Sequence, residues 1–357
     1  MRIAFMSRWN ATCGASFHAE LLCRRLSLMG YEVLVFAPSL ESANADWHHR
    51  RIRVRDEGWV MRGYEETDEL RYPYGGSVSR EIIEEDYDVL IVEIYNRLPI
   101  AELEKVSEKL RRKGRLIGVL HLAWRRDVPP ILRIAWDALV IFDRRYYDEL
   151  LSGQDLSRIG RIEEIPYPFA IVEKVSPRRI EEAGDKFLFF TYGRQPELEY
   201  IDYIRGLREI CTDGKSIYFV LRSDGKLSIN EPWIIQKVDR PSLKRIHEYL
   251  RGADLHLIPK SDTRGVVISS TVNQSLYSGT PTIVPDTRYF ETIPSYEDGG
   301  PLMKYRLGDL GDLGEKIRLL MRDEGVRGDL AERAREYARR MSDEVIARRF
   351  LELIGSL

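Results

Sequence analysis

LHLIPKSDTRGVVISSTVNQSLYSGTPTIVPDTRYF, residues 255–290, is the stretch on which the reading of this chain turns. It opens as a short buried strand, passes through a polar loop, and enters a short helix. It then turns at Gly279-Thr280-Pro281 and closes as a second buried strand. That order is a βαβ unit of an α/β fold. Its first loop lies at the carboxyl end of a strand, where open α/β sheets bind ligands. The pair Asn273-Gln274 stands inside it, and these are two of only nine amide side chains in the chain.

Outward from this stretch the same pattern repeats. In the second half, a strand over Phe187–Thr191 runs into Tyr192-Gly193-Arg194-Gln195-Pro196 and a helix over Tyr200–Ile210. A strand at Ile217–Leu221 and a helix at Pro241–Arg251 follow, the latter with Leu243, Ile246 and Leu250 on one face. The tail is helical: Leu313–Met321, Val326–Arg340, and Asp343 to Ile354, whose stripe Ile346, Phe350, Leu353, Ile354 must be buried somewhere. In the first half, strand Ile3–Ser7, loop Arg8–Ser16 and helix Phe17–Met29 open a doubly wound sheet. Leu21, Leu22, Leu26 and Leu28 are the expected sheet-covering face, and Gly30 stops the helix. Strands are expected at Val33–Ala37, Asp88–Ile94, Leu116–Leu120 and Ala138–Phe142, the last of this half. Helices are expected at Ala101–Lys113 and Arg145–Leu151, with Val54 and Trp59–Met61 in an irregular region. The segment Ile165-Pro166-Tyr167-Pro168-Phe169 is stiff and suits a domain connection. The expected division is residues 1–168, 169–340, and a final helix 341–357.

Composition narrows the class. A chain of 357 residues, 43% hydrophobic and 31% charged, is a globular protein with two cores. A net charge of -2 argues against a nucleic-acid partner. Cys13, Cys23 and Cys211 form neither a metal spacing nor a disulfide framework. The start MRIAFMSRWN reads directly as a strand without a signal peptide, and no apolar run spans a bilayer, so a cytoplasmic place is expected. Few amides with abundant Arg and Glu fit a thermophile source.

Several residues are candidates for chemistry on position alone. His121 follows a strand directly, at its carboxyl end, the best placed of six histidines. Gly14 keeps the first loop thin where a ligand approaches, although the loop lacks G-x-G-x-x-G. Asp86-Tyr87-Asp88 precedes its strand and is read as a loop rather than a metal site. His48 and His49 lie among Arg50, Arg51 and Arg53 and are read as part of a solvated basic loop. Residues 97–145 carry twelve Lys/Arg against six Asp/Glu, a local net of +6, with Trp124 and Trp136 among them. That region is a candidate for peripheral contact with an anionic membrane face.

Two α/β domains, a Pro-rich hinge and a helical tail together resemble the GT-B glycosyltransferases, and the motifs resemble the retaining group called family 4 or group 1. Met29-Gly30-Tyr31-Glu32-Val33 is similar to the family's "GHEV", Ile165-Pro166-Tyr167-Pro168 to "IPNG", and Gly193-Arg194 to its "GR". Gln274 to Val284, QSLYSGTPTIV, is similar to "EAMACGTPVIV". The resemblance implies two Rossmann-like doubly wound domains facing a central cleft, with the last helix crossing back onto the first. It implies a nucleotide-sugar donor, a glycan or lipid-linked acceptor, no cofactor and no metal. It places His121 near the transferred sugar and Arg194 on the diphosphate. An arginine fork suits a leaving diphosphate whose charge grows, and backbone N–H groups around Gly265–Val267 would add to it.

The chain also departs from that pattern. The family's Glu-x7-Glu becomes Val266 and Gln274, with Gln274 left to face the ribose and Asp262 as a substitute only in a rearranged loop. The family lysine five residues after the arginine is Glu199, and Lys260 or Arg264 of the opening loop are the candidates to supply that charge. Two classes of function follow. One is a metal-independent, retaining, hexosyltransferase-like enzyme using His121 and Arg194, with Gly14, Lys260, Arg264, Gly265, Val266, Asn273 and Gln274 around the donor. The other is a glycosyltransferase-fold protein without turnover that acts as a nucleotide-binding or scaffold protein. A nucleotide-sugar epimerase on the same architecture is a third option.

Overall fold

The computed structural model describes residues 1–45, 52 and 54–357. His48, His49, Arg50, Arg51 and Arg53 lie outside the described residues. The rest divides into two compact units, Met1–Pro168 with Gly265–Val267 and Asp343–Leu357, and Phe169–Arg264 with Ile268–Ser342.

The first unit is built on β1 (Arg2–Met6), α1 (Gly14–Leu28), β2 (Glu32–Pro38), α2 (Leu40–Ala43), β3 (Val60–Glu65), β4 (Ser77–Val78), α3 (Arg80–Glu84), β5 (Val89–Ile94), α4 (Ile100–Lys113), β6 (Arg115–Leu120), β7 (Ala138–Ile141) and β8 (Ile162–Glu164). Its sheet runs β4-β3-β2-β1-β5-β6-β7-β8, parallel except for β4. Apolar runs such as IAFM in β1 and VLIV in β5 are buried throughout, as a sheet covered on both faces requires.

Four sequence expectations change here. The segment from Val60 is a strand rather than irregular. Only Tyr64 in it is buried, so it lacks the apolar signal of its neighbours. A further strand, β8, follows β7. Helix α1 begins at Gly14 with Cys13 before it, three residues earlier than expected, so Gly14 is helical and not part of a thin loop. Leu28 is exposed; Ala15, His18, Ala19 and Cys23 complete the buried face with Leu22 and Leu26.

The second unit contains β9 (Phe187–Gly193), α5 (Ile201–Cys211), β10 (Ser216–Arg222), β11 (Ile234–Val238), α6 (Leu243–Gly252), β12 (Leu255–Leu257), α7 (Ser270–Ser275), β13 (Thr282–Pro285), β14 (Met303–Tyr305), α8 (Leu310–Arg322) and α9 (Glu324–Arg340). The sheet is parallel in the order β11-β10-β9-β12-β13-β14. One face is packed by Tyr203, Leu207, Leu313 and Ile317, the other by Ile246 and Leu250 against Phe190 and Phe219. Gly279 takes φ 73° at the turn before β13, a conformation glycine adopts without strain. The final helix α10 (Asp343–Ser356) buries Ile346, Phe350, Leu353 and Ile354 and is part of the first unit, where Arg25 of α1 pairs with Asp343 at 2.9 Å.

Both sheets carry the doubly wound order. Chain direction along the sheet reverses between β1 and β5 in one unit and between β9 and β12 in the other. Ligands of such folds bind beyond the carboxyl ends of the strands at that reversal.

Candidate active site

At the reversal of the second sheet, the segments after β9 and β12 each carry a basic residue. Gly193 closes β9 at φ 139°, which only glycine adopts freely, and the chain then delivers Arg194. Past β12, Ile258-Pro259 leads to Lys260. Its Nζ lies 3.8 Å from Glu199 Oε2 and 4.8 Å above the Tyr289 ring. Burial pushes the Lys260 ammonium below its ordinary range. Glu199 works against that shift, and the nearby Arg194 charge adds to it. Arg194 and Lys260 therefore sit within electrostatic reach of each other, with Glu199 as a counter-charge.

The remaining loop residues are placed less uniformly. Arg264 is exposed. Asp262 is exposed, and its Oδ1 accepts from the N–H of Thr263 (2.9 Å) and of Arg288 (3.1 Å). Gly265 and Val266 cluster with the first unit, where the Val266 N–H donates to Ala123 O at 2.9 Å. The expectation that this N–H is available for phosphate is thus corrected, because it already has a partner. Asn273 is buried and its carbonyl accepts from the Ala170 N–H at 2.9 Å. Gln274 is half-buried in the last turn of α7, and its carbonyl lies 2.7 Å from Nε2 of His247.

The first sheet has its own cluster at the equivalent place. The last turn of β5 puts Glu93 inside an otherwise apolar strand with no solvent exposure. Each carboxylate oxygen meets one imidazole: Oε1 lies 2.7 Å from His18 Nδ1, and Oε2 lies 2.5 Å from His121 Nε2. His18 comes from α1, and His121 follows β6 as expected. Burial raises the Glu93 carboxyl, but the charge of His18 and the hydrogen bonds from both imidazoles override it and hold it at about 2. Burial pushes His121 down more than Glu93 lifts it. Phe142 and Tyr167 flank both imidazoles, with ring centroids 4.9–6.4 Å away, and Phe350 lies 6.0 Å from His18. The Tyr167 hydroxyl donates to Gly14 O at 2.7 Å, which gives Gly14 a structural contact. The three ligand-type atoms lie within 4.8 Å of one another, and residues of these types also hold metal ions. Here the carboxylate is shared between imidazoles as a hydrogen-bonded chain.

The two doubly wound sheets belong to a known architecture. No family model matches the chain. Solved structures do. HepE (Alr3699) of Anabaena, in complex with UDP-glucose, is 13% identical over 100% of both chains, with a TM-score of 0.68. A trehalose-6-phosphate synthase, solved with bisubstrate glycomimetics in work on glycosyl transfer with retention, is 11% identical. It covers 100% of this chain and 99% of that one, with a TM-score of 0.66. The UDP-forming α,α-trehalose-phosphate synthase of Burkholderia xenovorans is 9% identical over 99% and 98%, with a TM-score of 0.64. The fold is GT-B. At these identities the GT-B likeness speaks for architecture, and residue roles must come from the clusters themselves.

Glu93 and His18 were absent from the sequence-based candidates. The available signal was an acidic residue in the run VLIVEI, since a buried carboxylate needs partners. Arg8 and Glu66 were likewise missed. They form a buried pair at 2.5 Å beyond β1, with Arg8 stacked 4.6 Å over Tyr95. In the basic 97–145 region, Arg97, Lys105, Arg111, Arg133, Arg144 and Arg145 each have a carboxylate partner. Trp136 is buried, with Nε1 donating to Ile131 O, and Trp124 is exposed. No helix among the described residues is long and apolar enough to cross a membrane.

Proposed function

We propose that this chain is a retaining, metal-independent glycosyltransferase that moves a hexosyl group from a UDP-sugar to a glycan or lipid-linked acceptor. The observation that carries the reading is the placement of Arg194 after β9 and of Lys260 after β12, neighbouring strands at the reversal of the second sheet. Two cations on adjacent strand ends neutralise a diphosphate and stabilise it as it leaves. Arg194 offers a planar fork to the phosphate oxygens, and Lys260 a point charge. Gln274 serves the ribose and His121 the transferred sugar, as the family resemblance assigns them. The UDP complexes of similar structures support uridine as the base, and the work on retention supports the stereochemical course. Incubation with a panel of nucleotide-sugars and isolated glycan or lipid acceptors tests the reading. Absence of transfer and of slow donor hydrolysis across the panel refutes it.

One observation favours a second reading. Glu199 sets a carboxylate beside Lys260 and so lowers the positive charge available to a diphosphate. A nucleotide-binding protein without turnover fits that arrangement. UDP binding that Arg194→Ala abolishes, with no transfer or hydrolysis from any donor, selects this alternative.

A further inference from the structure

An ionised carboxylate has only acceptors. Glu93 is fully buried, and each of its oxygens lies within hydrogen-bond distance of a ring nitrogen. Both imidazoles must therefore donate: His18 through Nδ1–H, His121 through Nε2–H. A neutral imidazole carries a single ring proton, and burial holds His121 below its ordinary range, so the opposite nitrogen of that ring is left bare. In His121, Nδ1 is then a lone pair, and it has no hydrogen-bond partner among the described residues. In His18, Nε2 is buried without a partner.

We propose that Glu93 is a positioning residue that locks His121 in the Nε2–H form, so that Nδ1 faces substrate as an acceptor and selects a ligand presenting a hydroxyl donor there. His18 acts one step further back by holding the second Glu93 oxygen. The aromatic rings of Phe142 and Tyr167 flank both imidazoles and limit their rotation. A partner that orients an imidazole in this way fixes which nitrogen is free to react. The strand supplies rigidity, since β5 pairs with β1 on one side and β6 on the other. A histidine set as acceptor takes a hydrogen bond from a sugar hydroxyl; set as donor, it would favour a carbonyl or phosphate oxygen. That the hydroxyl belongs to a sugar rests on the proposed transferase reading. The tautomer does not.

The test is long-range proton–nitrogen NMR on the full chain labelled with 15N-histidine, with His121 assigned by a His121→Asn variant. The expected spectrum shows His121 protonated at Nε2 and unprotonated at Nδ1, without any substrate. A His121 protonated at Nδ1 alone overturns the inference. So does loss of the Nε2–H signal on adding Zn²⁺, which would mark a metal site instead. In Glu93→Gln the amide accepts on one side and donates on the other, so one of the two imidazoles must exchange tautomers. Unchanged tautomers in both His18 and His121 of that variant overturn the inference. In the transferase assay, Glu93→Gln is expected to lower kcat about 10–100-fold with little change in donor KM. If wild-type protein shows the expected tautomer but no transfer from any donor, the proposed function fails and the tautomer stands.

Discussion

The Nζ of Lys260 stands 3.8 Å from the carboxylate of Glu199, near enough for attraction and too far for a hydrogen bond. Each partner takes its position from a different strand end, Glu199 after β9 and Lys260 after β12. The pair is a counter-charge that a diphosphate must outcompete. Glu199→Gln is therefore expected to tighten UDP binding, by about threefold to tenfold, and Lys260→Ala to weaken it by about tenfold. Arg194→Ala is expected to cost more than either. Calorimetry with UDP checks the order, and weaker binding in Glu199→Gln would mean that the carboxylate contacts the ligand directly.

Gln274 separates a binding role from a structural one. The contact with His247 runs through the Gln274 backbone carbonyl, which a side-chain substitution leaves in place. Gln274→Ala is expected to keep Tm within about 2 °C, the size of a minor surface change, and to weaken nucleotide binding. Unchanged affinity would place the ribose elsewhere.

Acid should act on the two units over different ranges. His247 is pushed down to about 4 and His256 to about 3, chiefly by burial. An unfolded histidine protonates near 6.5, so the unfolded chain takes up protons first, and the stability of the second unit is lost as pH falls from about 6.5 toward 4 and 3. Glu93 behaves differently. Its folded value near 2 lies below its ordinary 4.5, so its contribution is present above 4.5 and is lost as pH falls through 2. Both ring nitrogens of His256 are buried without partners, and the ring stacks on Tyr192 at 5.6 Å. His256→Phe is expected to raise Tm more at pH 5 than at pH 8. An equal change at both values would show that His256 titrates normally.

Gly279 is held by two constraints at once. It takes φ 73°, and a Cβ there would lie 2.4 Å from the guanidinium of Arg335. Gly279→Ala is expected to cost about 1–3 kcal/mol by denaturant unfolding. A double variant with Arg335→Ala should recover only the steric part, because the backbone strain remains.

Architecture was readable because it rests on long apolar runs. IAFM, VLIV and FLFF each had to be central strands, and the glycines at Gly30 and Gly279 marked where neighbouring elements end. Edge elements escaped for the converse reason: in β3 the residues are half-exposed, and β8 and β14 are three residues each. The site divides along similar lines. His121 follows its strand directly, so the strand end located it, whereas Arg194 was legible through its Gly-Arg pair and Lys260 as a charge standing in for the one lost at Glu199. Glu93 lies inside its strand, and its partners stand 75 and 28 residues away in the chain, a separation that only folding brings together. Val266 shows the opposite limit. Its residue type was readable, but the engagement of its N–H with Ala123 depends on which unit the loop joins.

The helix α10 closes the first unit, with Phe350 against His18 and Asp343 on Arg25. Synthesis runs from the amino terminus, so the domain that leaves the ribosome first is the one completed last. Until residue 343 and beyond emerge, α1 shows its uncovered side to whatever chaperones are at hand. A nascent chain stalled near residue 200 should be as sensitive to protease within α1 as the released protein is resistant.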